Sequence, residues 1–505
     1  MARSTWLCRA VLWLAMALAW LVPLTAQAAP PTEEQARRLE QDLRAWLAET
    51  FGAAPSPDRP VQIAPEGDHY RLSVPIGGLF GVPGGADLTV TATMQERDDG
   101  TWSLDDIRTP SPSHFTLELT TRSNGKEAPA PLPTDVTLQL QDQKAHALFD
   151  PAYGTPSSFT GSYGAFDLHL QNALLEQTQH FDSYTVNATL RPAAAGRLDV
   201  LEDVVGQGFA TAQHDTDGHD LRMSVRRVQL ASHLDAVNRT RFVPVMQAAM
   251  QLSGAMLGSL GAAHGHAPGV PPLDRSSLRA LLLALRDVAA GGEIDESLDG
   301  MHVVAAGHSV DLDHVAVGIG ADAPDGMLNA HLALSLDGLS VPELPPRFSD
   351  YLPRHIVLRP AISGVSVADL TRMGMTATEP DFDPSRLAPE VDDLFSHGGI
   401  TIGFDSLEFD IGPASFDGSG KLLVASLAEQ TGRAEIHASG FDALMKRVQG
   451  DPLLSKGFPV LAVIRQLARP AGDKSGDRLA WDVAYDGSRL TVNGTDLSAM
   501  LGRGK

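Results

Sequence analysis

One cysteine occurs in the 505 residues, at position 8, so the remaining chain has none. Disulfides, thiol catalysis and cysteine-ligated metal sites are thereby excluded from everything after it. Such a chain must be held by its core, and it is long enough to bury one. Aromatic residues are few: beyond the first 28 positions the only tryptophans are Trp46, Trp102 and Trp481. Sugar-binding clefts stack rings on aromatic side chains, which argues against a carbohydrate enzyme. An outer-membrane barrel needs aromatic girdles, and these are missing as well. Positive charge is also short. Lys and Arg total 39 against 62 acids, giving a net −23, and −25 without Arg3 and Arg9. That balance repels nucleic acid and anionic lipid surfaces, and neither is an expected partner.

Long apolar runs are absent except at the start. Arg3 and Arg9 precede an apolar stretch from Ala10 to Leu24, and Ala26-Gln27-Ala28 follows as a small-x-small site. This is the pattern of a cleaved export signal over 1–28, leaving 477 residues that begin at Ala29. Arginine outnumbers lysine 32 to 7 and alanine is abundant, which fits a bacterium with GC-rich codons. The expected location is the periplasm.

What is present reads as helix, strands, helix, strands. Thr32 and Gln35 form a capping box, with Ala36, Leu39, Leu43, Trp46 and Leu47 on one stripe behind it. From about 60 to 235 the period falls to two. Phe115, Leu117 and Leu119 alternate with polar residues, as do Val136, Leu138 and Leu140, then Phe166, Leu168 and Leu170, then Tyr184, Val186, Ala188 and Leu190. Strict alternation predicts antiparallel strands with one buried and one wet face. The pattern slips by one residue between Val225 and Val228, Leu312 and Val315, and Phe404 and Leu407, which predicts bulges or bends. Helices are expected at about 241–263, 275–290, 439–449 and 458–468, and a short one capped by Thr495. The expected organisation is an N-terminal helix-plus-sheet region over 29–262, a Gly/Ala/Pro linker over 263–272, and a C-terminal helix-plus-sheet region over 273–505. The fold class is α+β and β-dominated: long bent antiparallel sheets with amphipathic helices packed on their apolar faces.

Candidate chemistry is thin. His302, His308, Asp311, Asp313 and His314 have the donor types of a zinc or manganese site, but the aspartates fall on the wet face of an alternating strand. His214, Asp215, Asp217, His219 and Asp220 resemble the start of a calcium loop that lacks its closing glutamate. His264 and His266 lie in the linker. The acid pairs Asp98-Asp99, Asp105-Asp106 and Asp392-Asp393 sit in turn-like contexts. No G-x-S-x-G, S-x-x-K set or H-E-x-x-H occurs. Gly420-Lys421 fails as a phosphate loop, because Ser415 and Leu422 replace required residues, and glycine-rich 77–85 leads into a strand. No catalytic, cofactor-binding or metal-ligating residue is assigned, and no cofactor is expected.

The layout, with helical GFDALMKRVQ at 440–449 and a closing hairpin DGSRLTVNG at 486–494, resembles bacterial envelope proteins of unknown function of the YdgA type, and more distantly AsmA-like envelope proteins. The resemblance implies an envelope role in assembly or lipid handling and supplies no catalytic residues. The expected function is non-enzymatic: binding an apolar ligand, a lipid or acyl chain, or an envelope partner protein. The alternative is a periplasmic hydrolase whose site is assembled from sequence-distant residues. The deciding feature is the apolar side of the sheets. If helices cover it fully the protein acts through its surface, and if they leave a gap the gap is a groove suited to acyl chains.

Overall fold

In the computed structural model the described residues are 31–51, 60–75, 88–119, 132–150, 155–173, 175–215, 220–238, 288–379, 381–452, 454–471 and 478–498, with Arg279 and Leu283. The leader, the 263–272 linker and the helix expected at 241–263 lie outside them, as does nearly all of that at 275–290. The chain is α+β and β-dominated, and every described strand pairing is antiparallel. It divides into two units. One runs to Ala289 and takes in Val303–Gly307; the other comprises Ala290–His302 and everything from His308.

The N-terminal unit opens with α1 (Glu33–Phe51). The Thr32 hydroxyl accepts the Gln35 amide at 3.2 Å, which is half of the expected capping box. The other half does not form, because the Gln35 side chain accepts the Tyr70 hydroxyl at 2.9 Å instead. That exchange pins the helix to the sheet. Strands β1 (Gln62–Glu66), β2 (His69–Pro75) and β3 (Thr89–Glu96) follow as a meander.

Next come six long strands, each bent near its middle. The first four are β4 with β5 (Trp102–Arg108, Ser113–Leu119), β6 with β7 (Leu132–Leu140, Lys144–Asp150), β8 with β9 (Thr155–Tyr163, Phe166–Gln171) and β10 with β11 (Leu175–Phe181, Ser183–Pro192). The last two are β12 (Leu198–Asp215) and β13 (Asp220–Val237). Neighbours keep one register on both sides of the bend: β12 pairs β11 through Ser183↔Gln207 and β10 through His180↔Ala210. The slip expected after Val225 is therefore shared with β12, which bends beside it at Gly208. The strands are interrupted side by side, at 109–112, 141–143, 164–165 and 182, so the sheet bends while each pair keeps its register across the break.

Helix α1 lies against one half of this sheet. Leu39, Leu43 and Leu47 pack with Val61, Leu72, Val74, Leu104, Ala147, Phe149, Phe159 and Val186 in a single core. Beyond the bend, Val136, Leu138, Leu168, Phe181 and Phe209 are buried too.

The C-terminal unit is a longer meander: β14 (Gly291–Ala305), β15 (His308–Asp322), β16 (Met327–Asp337), β17 (His355–Ser366), β18 (Ile400–Ile411), β19 (Ala414–Val424), β20 (Gln430–Ser439), β21 (Arg469–Pro470), β22 (Arg478–Tyr485), β23 (Leu490–Val492) and β24 (Thr495–Asp496). From β15 onward each strand pairs the next in sequence, except that β20 passes to β22. The slip expected after Phe404 appears as a register shift between Phe404 and Leu407. Helices α2 (Val367–Ala377) and α3 (Ala388–Phe395) leave the end of β17; α4 (Phe441–Gly450) and α5 (Phe458–Leu467) lie between β20 and β21. At the closing hairpin Asn493 (φ 48°) and Gly494 (φ 79°) are both left-handed, the requirement of a two-residue turn that matches strand twist. Thr495, expected to cap a helix, is instead held in β24 opposite Val492. Among the described residues no helix is long and apolar enough to cross a membrane.

Candidate functional site: the aliphatic face of the C-terminal unit

Cross-strand register places apolar residues of the C-terminal unit in straight rows. Val315, Leu336, Ile356, Phe409, Phe416, Ala438 and Leu479 form one. Beside it run Val317, Leu334, Leu358, Leu407, Gly418, Ile436 and Trp481. Further along the strands lie Ile319 with Leu332, then Phe404, Gly420, Ala434 and Val483, and then Ala330, Ile362, Ile402 and Leu422. Alternation puts all of these on one face.

Among the described residues, the helices cover only parts of it. Helices α2 and α3 enclose Val365 and Ile400 together with Leu328, Met373 and Phe395. Helices α4 and α5 enclose Ala438, Leu479 and Trp481, with Phe441 wedged between the Phe416 and Trp481 rings. The Trp481 indole N–H donates to the Ile464 carbonyl at 2.8 Å, which fixes α5 over β22. Between these clusters Leu334, Leu336, Ile356, Leu358, Phe404 and Leu407 are half-buried. Ile319 is 57% exposed and Ile402 46%. The floor is shallow where glycine replaces a side chain. At Gly420 a Cβ would meet the Phe404 ring at 2.9 Å, so that ring lies down over the glycine. Six strands, β15 to β20, make this face about 24 Å wide at ordinary strand spacing.

The histidine and carboxylate candidates resolve into pairs. His302 Nδ1 lies 2.6 Å from Asp311, and His314 Nδ1 lies 2.7 Å from Asp299. Asp313 lies against Gly338, just past the end of β16, and His308 opens β15 near Glu343. His214 bonds Asp220 at 2.6 Å, while Asp217 and His219 lie outside the described residues. Asp105 holds His146 at 2.5 Å, and Asp393 holds Arg372 at 2.7 Å. Gly418 and Gly420 are mid-strand in β19, where no phosphate loop forms. His264, His266 and the glycine-rich 77–85 stretch lie outside the described residues. Among those residues no three histidine or acid side chains come together as a metal site.

Sequence pattern missed three histidines with a carboxylate at each ring nitrogen: His180, His355 and His437. The Asp337 hydrogen bond, at 2.5 Å, raises His355 above the ordinary histidine range, with Asp410 and Glu408 adding to it. Asp369, nearly buried at the start of α2, is held low, chiefly by Ser366 and also by His397 and Arg372. Its partner geometry is structural. The Ser366 hydroxyl accepts the Asp369 amide as a helix cap, and His397 Nε2 lies 3.0 Å from the carboxylate. The histidine does not stand between serine and aspartate, as nucleophile activation requires. One open cleft of about 540 Å³ is lined by Arg347, Tyr351, Arg447, Gly450, Asp451 and Pro452. Of its two arginines, Arg447 is bound to Asp350 and Arg347 lies over the Phe348 ring.

No family model, curated protein or solved structure matches this chain.

Proposed function

We propose that this chain is a periplasmic envelope protein, exported behind a cleaved leader at 1–28, that binds a lipid or acyl chain on the aliphatic face of its C-terminal unit without catalysing a reaction. The observation that carries the reading is the continuous run of half-exposed Leu, Ile, Val and Phe across β15 to β20. Leaving apolar area in water forgoes about 25 cal/mol per Å² of stabilisation, so a broad exposed face points to something that covers it. Most of its side chains between the helix-covered clusters are Leu, Ile and Val, which suits flexible hydrocarbon. The charge of −23 discourages adsorption to anionic bilayers, so a carried lipid would reach its destination through an envelope partner protein. The loose resemblance to YdgA-type and AsmA-like envelope proteins points the same way.

Native mass spectrometry of protein purified from its own periplasm is the test. The expected result is co-purifying lipid that is lost in Ile402→Asp or Phe404→Asp, with the circular dichroism spectrum unchanged. Leu168 is unsuitable for this purpose, because at 3% exposure a charge there would unfold the N-terminal unit. Protein free of lipid that also ignores fluorescent fatty acids would refute the ligand reading in favour of a partner protein seated on the same face.

A further inference from the structure

The bend of the N-terminal unit contains an arrangement that the ligand reading does not use. His180 is the penultimate residue of β10, two positions before the corner at Asp182. Its Nδ1 lies 2.7 Å from Asp167 on β9, and its Nε2 lies 3.1 Å from the Asp182 carboxylate. A neutral imidazole carries one N–H, so it can donate to only one of these two anions. Both contacts are satisfied together only by the imidazolium. The corner itself depends on Asp182. Its amide donates to the Gln207 carbonyl at 2.9 Å, and its side chain fills the space in which a Cβ of Gly208 would stand. Gly208 has φ +62°, the left-handed conformation that lets β12 turn beside the corner.

We infer that His180 is a proton-operated clasp on this bend: the imidazolium ties β9, β10 and the Asp182 corner together, and loss of its proton releases the corner. The remaining proton stays on Nδ1, facing the nearer Asp167. Nε2 then turns a lone pair toward the Asp182 carboxylate, and attraction becomes repulsion. The neighbouring groups favour the charged form. Asp167 and Asp182 face the ring directly, and His169 on β9 is engaged 3.7 Å from Glu176. On β12 the position opposite His180 is Ala210, which carries no charge. The nearest cations by register are one strand further, at Arg222 and Arg226 of β13. The Asp167 bond is the largest influence raising His180 above its ordinary 6.5. A raised histidine contributes stability that is complete below 6.5 and lost as pH rises through the folded-state value.

The test uses the full-length protein. His180 is followed by its imidazole carbon–proton NMR signal, and the corner by amide hydrogen exchange at 182–184 and 206–208, corrected for intrinsic base catalysis. The expected wild-type result is a His180 midpoint above 6.5, with corner protection lost across the same pH range. In His180→Gln the pH step in protection is expected to vanish, and corner exchange to be fast at both ends. Asp182→Asn, which keeps the side chain's size, is expected to lower the His180 midpoint while leaving the fold intact. A His180 midpoint at or below 6.5, or a pH step that survives in His180→Gln, overturns the proposal.

Discussion

Leu72 of β2 and Leu332 of β16 are the same kind of residue in the same kind of place, an aliphatic position on an antiparallel strand. Leu72 is 2% exposed, packed with Leu39 and Leu43 of α1; Leu332 is 38% exposed. The two units share one-sided strands, meander order and bends, and they differ in what lies on the apolar side. In the N-terminal unit a 19-residue helix, locked by Thr32 and by the Tyr70–Gln35 bond, closes one large core, beside a smaller cluster of Leu190, Leu198, Val200 and Val237. In the C-terminal unit four shorter helices enclose separate clusters and leave the middle of the face partly in solvent. The covered face is read as stability, and the open one as function.

The largest expected contrast is in truncation. Phe159→Ala, at a site 1% exposed, should cost about 3–5 kcal/mol, and Leu332→Ala less than about 1, measured by chemical denaturation. Equal costs would mean that the C-terminal face is also a packed core. A second contrast concerns positive-φ glycines. Gly326→Ala, with φ +77° and open space around it, should lose only the backbone preference, about 1 kcal/mol. Gly208→Ala adds an overlap with Asp182 and should lose about 1–3 kcal/mol. If the two match, the corner is looser than described. A smaller effect is expected from Thr32→Ala, which removes the cap of α1 and should cost about 1 kcal/mol. That variant should also raise binding of an apolar dye by the N-terminal unit, since its cover is weakened. The smallest effect is pH dependence in the C-terminal unit. His355 is raised by Asp337, so its contribution is present below 6.5 and fades as pH climbs above it. His355→Gln should flatten that part of the melting-temperature profile.

Much of the architecture was legible because period two is a local signal. The alternation at 136–140, 166–170 and 184–190 marks the buried sides of those strands correctly, and the slip after Phe404 marks a real register shift. Other features depend on contacts distant in sequence. Gln35 left its capping box for Tyr70, 35 residues away. Thr495 reads as a cap because Ser, Thr and Gly surround it, yet the Asn493-Gly494 turn returns it to Val492. The candidate site was half legible. Phe404 and its neighbours were identifiable as one apolar face, but alternation is identical whether or not a helix covers that face. His180, Asp167 and Asp182 were invisible for a related reason, since a polar residue on a wet face carries no mark of what stands opposite.

The most direct measurement is covalent mapping with a photoactivatable fatty acid on the full-length protein, with labelled peptides located by mass spectrometry. Labels confined to 315–336, 356–362 and 402–436, and displaced by unlabelled fatty acid, are the predicted result. Labelling concentrated in the N-terminal unit, or spread without competition over both units, would contradict the account.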